Sequence, residues 1–270
     1  MKNNKFQLTA DNYYSEDANY EYMSVSQFKD FAGTYGKVGC EACAMAKIHG
    51  DYKEPERTAL LEGSYVDAFY EGTLDKFKEE HPDMFKQDGT LKANFVKAEK
   101  AIARSLRDPL FQEYMSGEKQ VIMTGELFGS KWKIKIDSYH PGKAIVDLKY
   151  MQSLTKFGYV PDIGYLDFVR YWGYDLQGAI YQEIVYQNTG QRLPFYIAGI
   201  SKEEAMDIEV IYVHDNYLQE ALKTIERCMP RILQVKYREA VPDRCEQCIW
   251  CRDTKVLKRP IGIGDLVASL

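Results

Sequence analysis

Residues 131–150 read KWKIKIDSYHPGKAIVDLKY, and the interpretation of the chain turns on them. Side chains of a strand project to opposite faces with a period of two. Trp132, Ile134 and Ile136 therefore share one face, and Lys131, Lys133, Lys135 and Asp137 the other. Pro141-Gly142 signals a turn, after which AIVDLKY resumes as a strand with Asp147 and Lys149 on a common face. The preceding run VIMTGELFG, residues 121–129, completes an expected three-strand meander.

Asp147 sits among Ala144, Ile145, Val146 and Leu148, where a buried charge is costly unless a metal or partner meets it. Magnesium takes oxygen ligands, keeps several waters and needs only one or two protein carboxylates. Asp137 and Asp147 satisfy that demand, and the carbonyl of Leu148 adds a third oxygen. Lys149 is placed to orient or deprotonate a water and to stabilise developing negative charge. Such a set, loaded with Mg2+ or Mn2+, suits phosphodiester hydrolysis. An Asp-x-Lys triplet alone equally suits a surface ion pair; the apolar strand around it carries the argument.

Working outward, residues 1–22 read as an irregular, tyrosine-rich arm. Ser24 is expected to N-cap a helix, with Gln27 completing a capping box. Residues 57–72 show helical spacing of Leu60, Leu61, Tyr65 and Phe69; Gly63 is expected to admit a neighbouring backbone, with Asp67 one turn further on. Residues 91–117 read as a long helical region that Pro109 breaks or kinks. Its Lys92, Lys97, Lys100, Arg104 and Arg107 suit either a solvated face or phosphate contact. A helix over 174–188 carries Gln177 and Tyr181 one turn apart, followed by strands near 194–200 and 207–214 and a helix over 216–235.

These elements give one α/β domain: a central mixed β-sheet flanked by helices, plus an N-terminal helical lobe. The expected divisions are an arm (1–22), the helical lobe (23–118), a catalytic core with a Cys-rich end (119–252) and a tail (253–270). With 45% hydrophobic and 28% charged residues the composition is globular, not disordered. No apolar run approaches a membrane span and the start lacks a signal-peptide core, so a cytoplasmic location is expected. The net charge of −5 confines nucleic-acid contact to a local basic track. Lys131, Lys133 and Lys135 form a candidate DNA-binding ladder on the Asp137 face, and Tyr159, Tyr165, Tyr171 and Tyr174 are expected to pack mainly in the core.

Six cysteines in a reducing compartment point to ligands or plain thiols rather than disulfides. Cys245-x-x-Cys248-x-x-Cys251 has spacing suited to an iron–sulfur or zinc site. The fourth ligand must come from elsewhere, with Cys40 first and Cys43 as alternative.

In order, Gly63-x-x-x-Asp67, Glu126, Ile136-Asp137, Ile145-Val-Asp-Leu-Lys149 and Gln177-x-x-x-Tyr181 resemble the motifs of the PD-(D/E)xK nuclease superfamily, over about residues 24–251. The resemblance is to its RecB-type branch and to RecE-like exonucleases of phages and prophages. It implies a restriction-endonuclease-like core, with Asp67 a metal ligand where the family commonly has His. It also implies catalytic roles for Glu126, Gln177 and Tyr181 beside Asp137, Asp147 and Lys149. The expected activity is a Mg2+-dependent exodeoxyribonuclease acting on double-stranded ends in phage-type recombination, assembled as a homo-oligomeric ring beside a single-strand annealing protein. Some RecB-like nucleases build a [4Fe-4S] cluster from one Cys before the core and three after it, the layout of Cys40, Cys245, Cys248 and Cys251, although the last gap here is shorter. Two alternatives remain: a cluster-bearing single-strand nuclease, and a nuclease-like DNA-binding module without catalysis.

Overall fold

A computed structural model of the chain describes residues 6–55 and 57–264. The strands are preceded by α1 (Glu16–Glu21), α2 (Val25–Ala32), α3 (Glu41–Ile48), α4 (Thr58–Glu71), α5 (Leu74–Glu80), α6 (Ala93–Ser105) and α7 (Pro109–Tyr114). Ser24 caps α2 as expected, its hydroxyl accepting from the Gln27 amide at 3.3 Å. The capping box is not closed, because the Gln27 side chain donates instead to the Asn19 carbonyl at 2.8 Å. Pro109 does not kink a long helix. It opens a new one, at a position where its missing N–H costs nothing, with Asp108 accepting from the Phe111 amide at 2.9 Å.

The strands follow: β1 (Val121–Leu127), β2 (Ser130–Ile136), β3 (Ser138–His140), β4 (Ala144–Met151), and the outlying hairpin β5 (Gly158–Val160) and β6 (Gly164–Leu166). Then come α8 (Phe168–Tyr171), α9 (Tyr174–Thr189), β7 (Phe195–Ser201), β8 (Ile208–Val213), α10 (Asp215–Lys236) and α11 (Ile249–Asp253). The central sheet has order β3-β4-β7-β8, with β4 and β7 parallel and the outer pairs antiparallel. The crossover from β4 to β7 passes through α9.

The expected meander is instead two hairpins. β1 pairs only with β2, around a Phe128-Gly129 turn in which both residues have positive φ, as two-residue hairpin loops favour. The chain then bends at Asp137, and β3 pairs with β4. That bend places Asp137 at the junction of two sheets.

Alternation along β4 sorts its side chains between two cores. Ala144, Val146 and Leu148 pack beneath α4 and α6, and Ile145 joins the cluster around α9 and α10. Of the helices before the strands, α2 and α3 pack into the core around α9 and α10, and α4, α6 and α7 into the one on the other side of β4. Asp147 and Lys149 follow Ile145 onto the α9 side by the same period of two. Trp132, Ile134 and Ile136 are fully buried in that core, as the alternation of β2 required.

The N-terminal arm is not irregular throughout. Residues 16–21 form α1, and Tyr13 is buried. Two buried lysines hold the segment down: Lys133 donates to the Tyr13 carbonyl and, at 2.8 Å, to Asn19 Oδ1, while Lys236 donates to the carbonyls of Asn19 and Tyr22, both at 3.1 Å. Burial brings each of these amines down to about 8.

A Cβ at Gly63 would meet open space, so that glycine admits no neighbouring backbone. Tyr159 and Tyr165 pair across the β5–β6 hairpin on its exposed side, outside the core. Residues 1–5 of the expected arm and 265–270 of the expected tail lie outside the described residues. Among the described residues no helix is long and apolar enough to cross a membrane.

Candidate metal centre and its cleft

The ladder between β3 and β4 ends at the Ser138–Val146 pair, which leaves the Leu148 amide without a strand partner on that side. Asp137 Oδ2 accepts from it at 2.8 Å, so the carboxylate completes the backbone hydrogen bonding at the sheet junction. Gln120, just before β1 and with φ of 53°, donates its amide to Asp137 Oδ1 at 3.3 Å. On the adjacent strand Asp147 is 2% exposed. Its Oδ1 accepts from the Gln177 amide at 2.6 Å, and its Oδ2 forms an ion pair with Lys149. Lys149 also donates to the Leu148 carbonyl at 3.1 Å.

α4 brings Asp67 into the same cleft, a cavity of about 450 Å³ whose walls also carry Asp137, Asp147, Lys149, Gln177 and Tyr181. Burial, then the charge of Asp147, lifts the Asp137 carboxyl to about 7. Burial, then Asp137, holds Asp67 well above the usual carboxylate range. Burial alone would lower the Lys149 amine, but Asp147 and Asp137 outweigh it and raise its proton affinity. Carboxylates crowded with such mutual repulsion await positive charge. Asp147 Oδ2 is buried and meets only the Lys149 ammonium, with no backbone or amide donor, so it is an oxygen that a hard cation can share with that lysine. Asp67, Asp137, Asp147 and the Leu148 carbonyl are oxygen donors of the kind Mg2+ or Mn2+ takes; they line one cleft, but the three acids are not drawn together as closely as the four cysteine sulfurs.

Tyr181 does not reach the carboxylates; its hydroxyl donates to the Lys135 carbonyl at 3.0 Å and ties α9 to β2. Lys135 faces the cleft with its amine over the rings of Tyr13 and Tyr14. Lys131 pairs with Glu21, and Lys133 is consumed by the N-terminal segment, so the three lysines are not an equivalent ladder.

Glu126 is not in the site. It sits opposite Lys131 near the tip of the β1–β2 hairpin, on the wall of a different cavity. The hairpin register explains why. Counting back from the Phe128-Gly129 turn places Glu126 beyond the Val121–Ile136 rung by five rungs, about 17 Å. The same count sets Gln120 beside Asp137, so the two-residue turn was the signal that could have found it. Lys29 and Tyr13 also line the cleft, and no spacing rule in the sequence marked them.

The sulfur atoms of Cys40, Cys245, Cys248 and Cys251 all lie within 4.8 Å of one another, and Cys43 is not in that group. Each of three thiols accepts a backbone N–H: Cys40 from Cys43 at 3.4 Å, Cys245 from Cys248 at 3.2 Å, and Cys248 from Cys251 at 3.4 Å. Burial pushes the Cys245 thiol up, but the Cys248 and Gln247 amides prevail and bring it down to about 7. Four convergent thiols with such donors suit a thiophilic metal.

A β-sheet core with an Asp–Asp–Lys cleft at a strand junction is the architecture of PD-(D/E)xK proteins. Residues 24–254 match the PDDEXK-like domain of unknown function DUF3799, and the chain belongs to that family. It is similar to a protein from Eubacterium rectale whose crystal structure carries the provisional description of an exonuclease. The two share 63% identity over 98% of this chain and 100% of that one, with a TM-score of 0.96. No curated protein matches the chain.

Proposed function

We propose that the chain is a metal-dependent exodeoxyribonuclease acting at double-stranded DNA ends. The observation that carries this reading is that Asp67, Asp137, Asp147 and Lys149 line one cleft, with Asp67 and Asp137 holding their protons well above the usual carboxylate range. The family match and the description of the Eubacterium rectale relative support it. A bound Mg2+ or Mn2+ supplies Lewis acidity and a water that ionises near neutral pH.

The remaining work falls to side chains. Gln177 fixes the plane of the Asp147 carboxylate, and Gln120 with the Leu148 amide does the same for Asp137. Lys149 sets a positive charge beside both acids, where negative charge develops on a phosphoryl group. Lys135 and the exposed Tyr14 stand at the mouth, suited to an incoming backbone and base.

The resemblance to RecE-like enzymes supports a recombination role in the cytoplasm, a ring-shaped homo-oligomer and an annealing partner. The decisive assay incubates end-labelled linear duplex and closed circular DNA with Mg2+, comparing wild type with Asp147→Ala and Lys149→Ala. Degradation of the linear form that both variants abolish is the expected result. Digestion persisting in both defeats the assignment.

The thiol group favours a second, compatible feature: a structural metal centre on Cys40, Cys245, Cys248 and Cys251. Zinc–thiolate bonds of about 2.3 Å set tetrahedral sulfurs about 3.8 Å apart. The observed spread fits one such ion better than a [4Fe-4S] cluster, whose irons hold the thiolates further apart.

A further inference from the structure

Lys29, in the last turn of α2, extends into the cleft beside Lys149. Its ammonium stands 5.0 Å from the centre of the Tyr174 ring, and that of Lys149 stands 5.2 Å from the same centre. The two cations differ in their partners. Lys149 is paired with Asp147. Among the described residues the Lys29 amine makes no hydrogen bond and has no carboxylate within ion-pair distance; it lies over the Tyr174 ring. Asp147 and Asp175 attract it from further off. Asp175 is turned away onto the Leu176 amide at 2.9 Å, and Asp147 is held by Gln177 and Lys149.

A partly buried ammonium without a counter-ion is costly, and desolvation with Lys149 nearby brings this one down to about 7. A ring face offsets only part of that cost. An anion entering the cleft would supply the missing charge. The acids and the two lysines face the same cavity, so a phosphodiester drawn to a metal on the acids passes the lysines.

We propose that Lys29 binds a non-bridging phosphate oxygen of the strand that enters the cleft, as a second substrate-holding cation beside Lys149. The proposal rests on the nuclease reading. It assigns Lys29 to substrate and not to the metal.

The test measures binding of a fluorescent linear duplex by anisotropy in Ca2+ across a salt series, for wild type, Lys29→Met and Lys29→Arg. Loss of one charge-assisted phosphate contact should weaken binding by Lys29→Met about tenfold. It should also reduce the slope of log K against log salt by about one. Lys29→Arg should retain both. The melting temperature of Lys29→Met should hold or rise, because an unpaired, partly buried charge is gone.

Single methylphosphonate linkages, placed at the cleaved position and at each neighbour, then locate the contact. At one of them Lys29→Met should bring no further loss, which separates the scissile phosphate from an adjacent one. Unchanged affinity and slope in Lys29→Met, with wild type still cleaving DNA, overturns this proposal alone. Wild type that neither binds nor cleaves DNA overturns the nuclease reading with it. A Lys29→Met protein that loses stability while its salt slope is intact assigns the residue to packing on Tyr174 and also overturns the proposal.

Discussion

Gln177 and Asp147 are joined by a 2.6 Å hydrogen bond that crosses from helix α9 to the central strand. It fixes one oxygen of the carboxylate and leaves Oδ2 to the Lys149 ammonium. Outer partners of this kind orient a metal-binding carboxylate, and their loss costs about 10- to 100-fold in metal affinity or activity. Gln177→Ala is expected to lower Mg2+-dependent DNA hydrolysis by that amount and to raise the Mg2+ concentration at half-maximal rate. A variant with wild-type Mg2+ dependence would show the contact to be incidental.

Asp137 titrates near neutrality, and the sign of its effect on stability follows. Its carboxyl rises from 3.8 to about 7 on folding, so the folded chain holds the proton more tightly. The stability this group contributes is complete below the unfolded value and is lost as pH rises through about 7. In metal-free buffer the melting temperature of wild type should fall relative to Asp137→Asn between about pH 4 and pH 7 and level off above. Saturating Mg2+ should close the gap at the upper end, because the ion replaces the proton. Lys29, lowered to about 7, acts in the opposite direction, so the difference between the two proteins is the quantity to measure by calorimetry. A gap that does not change with pH removes the basis for the raised carboxyl.

Register predicts opposite outcomes for one amide and one acid at the two ends of the hairpin strand. Glu126→Gln should leave nuclease rate and metal dependence unchanged, because Glu126 lies opposite Lys131 at the hairpin tip. Gln120→Ala should reduce the rate about tenfold or more, since Asp137 Oδ1 loses its donor. Steady-state assays of both variants check the pair. Reversal of the two effects would mean that the hairpin is paired in another register.

Lys133 and Lys135, two residues apart on one strand face, should fail in different ways. Lys133→Ala strips the Tyr13 carbonyl and Asn19 of their donor and should cost about 2 kcal/mol of stability. Lys135→Ala should leave the melting temperature in place and lower the salt slope of DNA binding by about one. Denaturation curves and binding isotherms at several salt concentrations separate the two.

The thiol centre is checked by metal content rather than activity. Elemental analysis of protein purified without chelator should find about one zinc per chain. Cys40→Ser should lose it, and limited proteolysis near residues 240–254 should accelerate, since Cys40 and Cys251 join α3 to the C-terminal segment. Iron with sulfide and absorbance near roughly 400 nm would establish a cluster instead. Metal-free wild-type protein of unchanged stability would leave plain thiols.

Local periodicity alone put Asp147 and Lys149 on one face of a strand, set Trp132, Ile134 and Ile136 into the core, and aligned Gln177 with Tyr181 on a helix. The spacing of Cys245, Cys248 and Cys251 marked a thiol site in the same way. These features were legible because side-chain direction repeats every two residues in a strand and every turn in a helix. Such periods fix the side a residue faces and nothing about what lies opposite. Which strand pairs with which was decided by tertiary structure, and with it the bend at Asp137 and the exchange of Glu126 for Gln120. Burial was decided there as well. Lys133 and Lys135 have the same phase in the sequence, yet only Lys133 is covered, because the N-terminal segment folds across it. Lys29 reached the cleft for the same reason: α2 docks against α9, a long-range contact that no local pattern encodes.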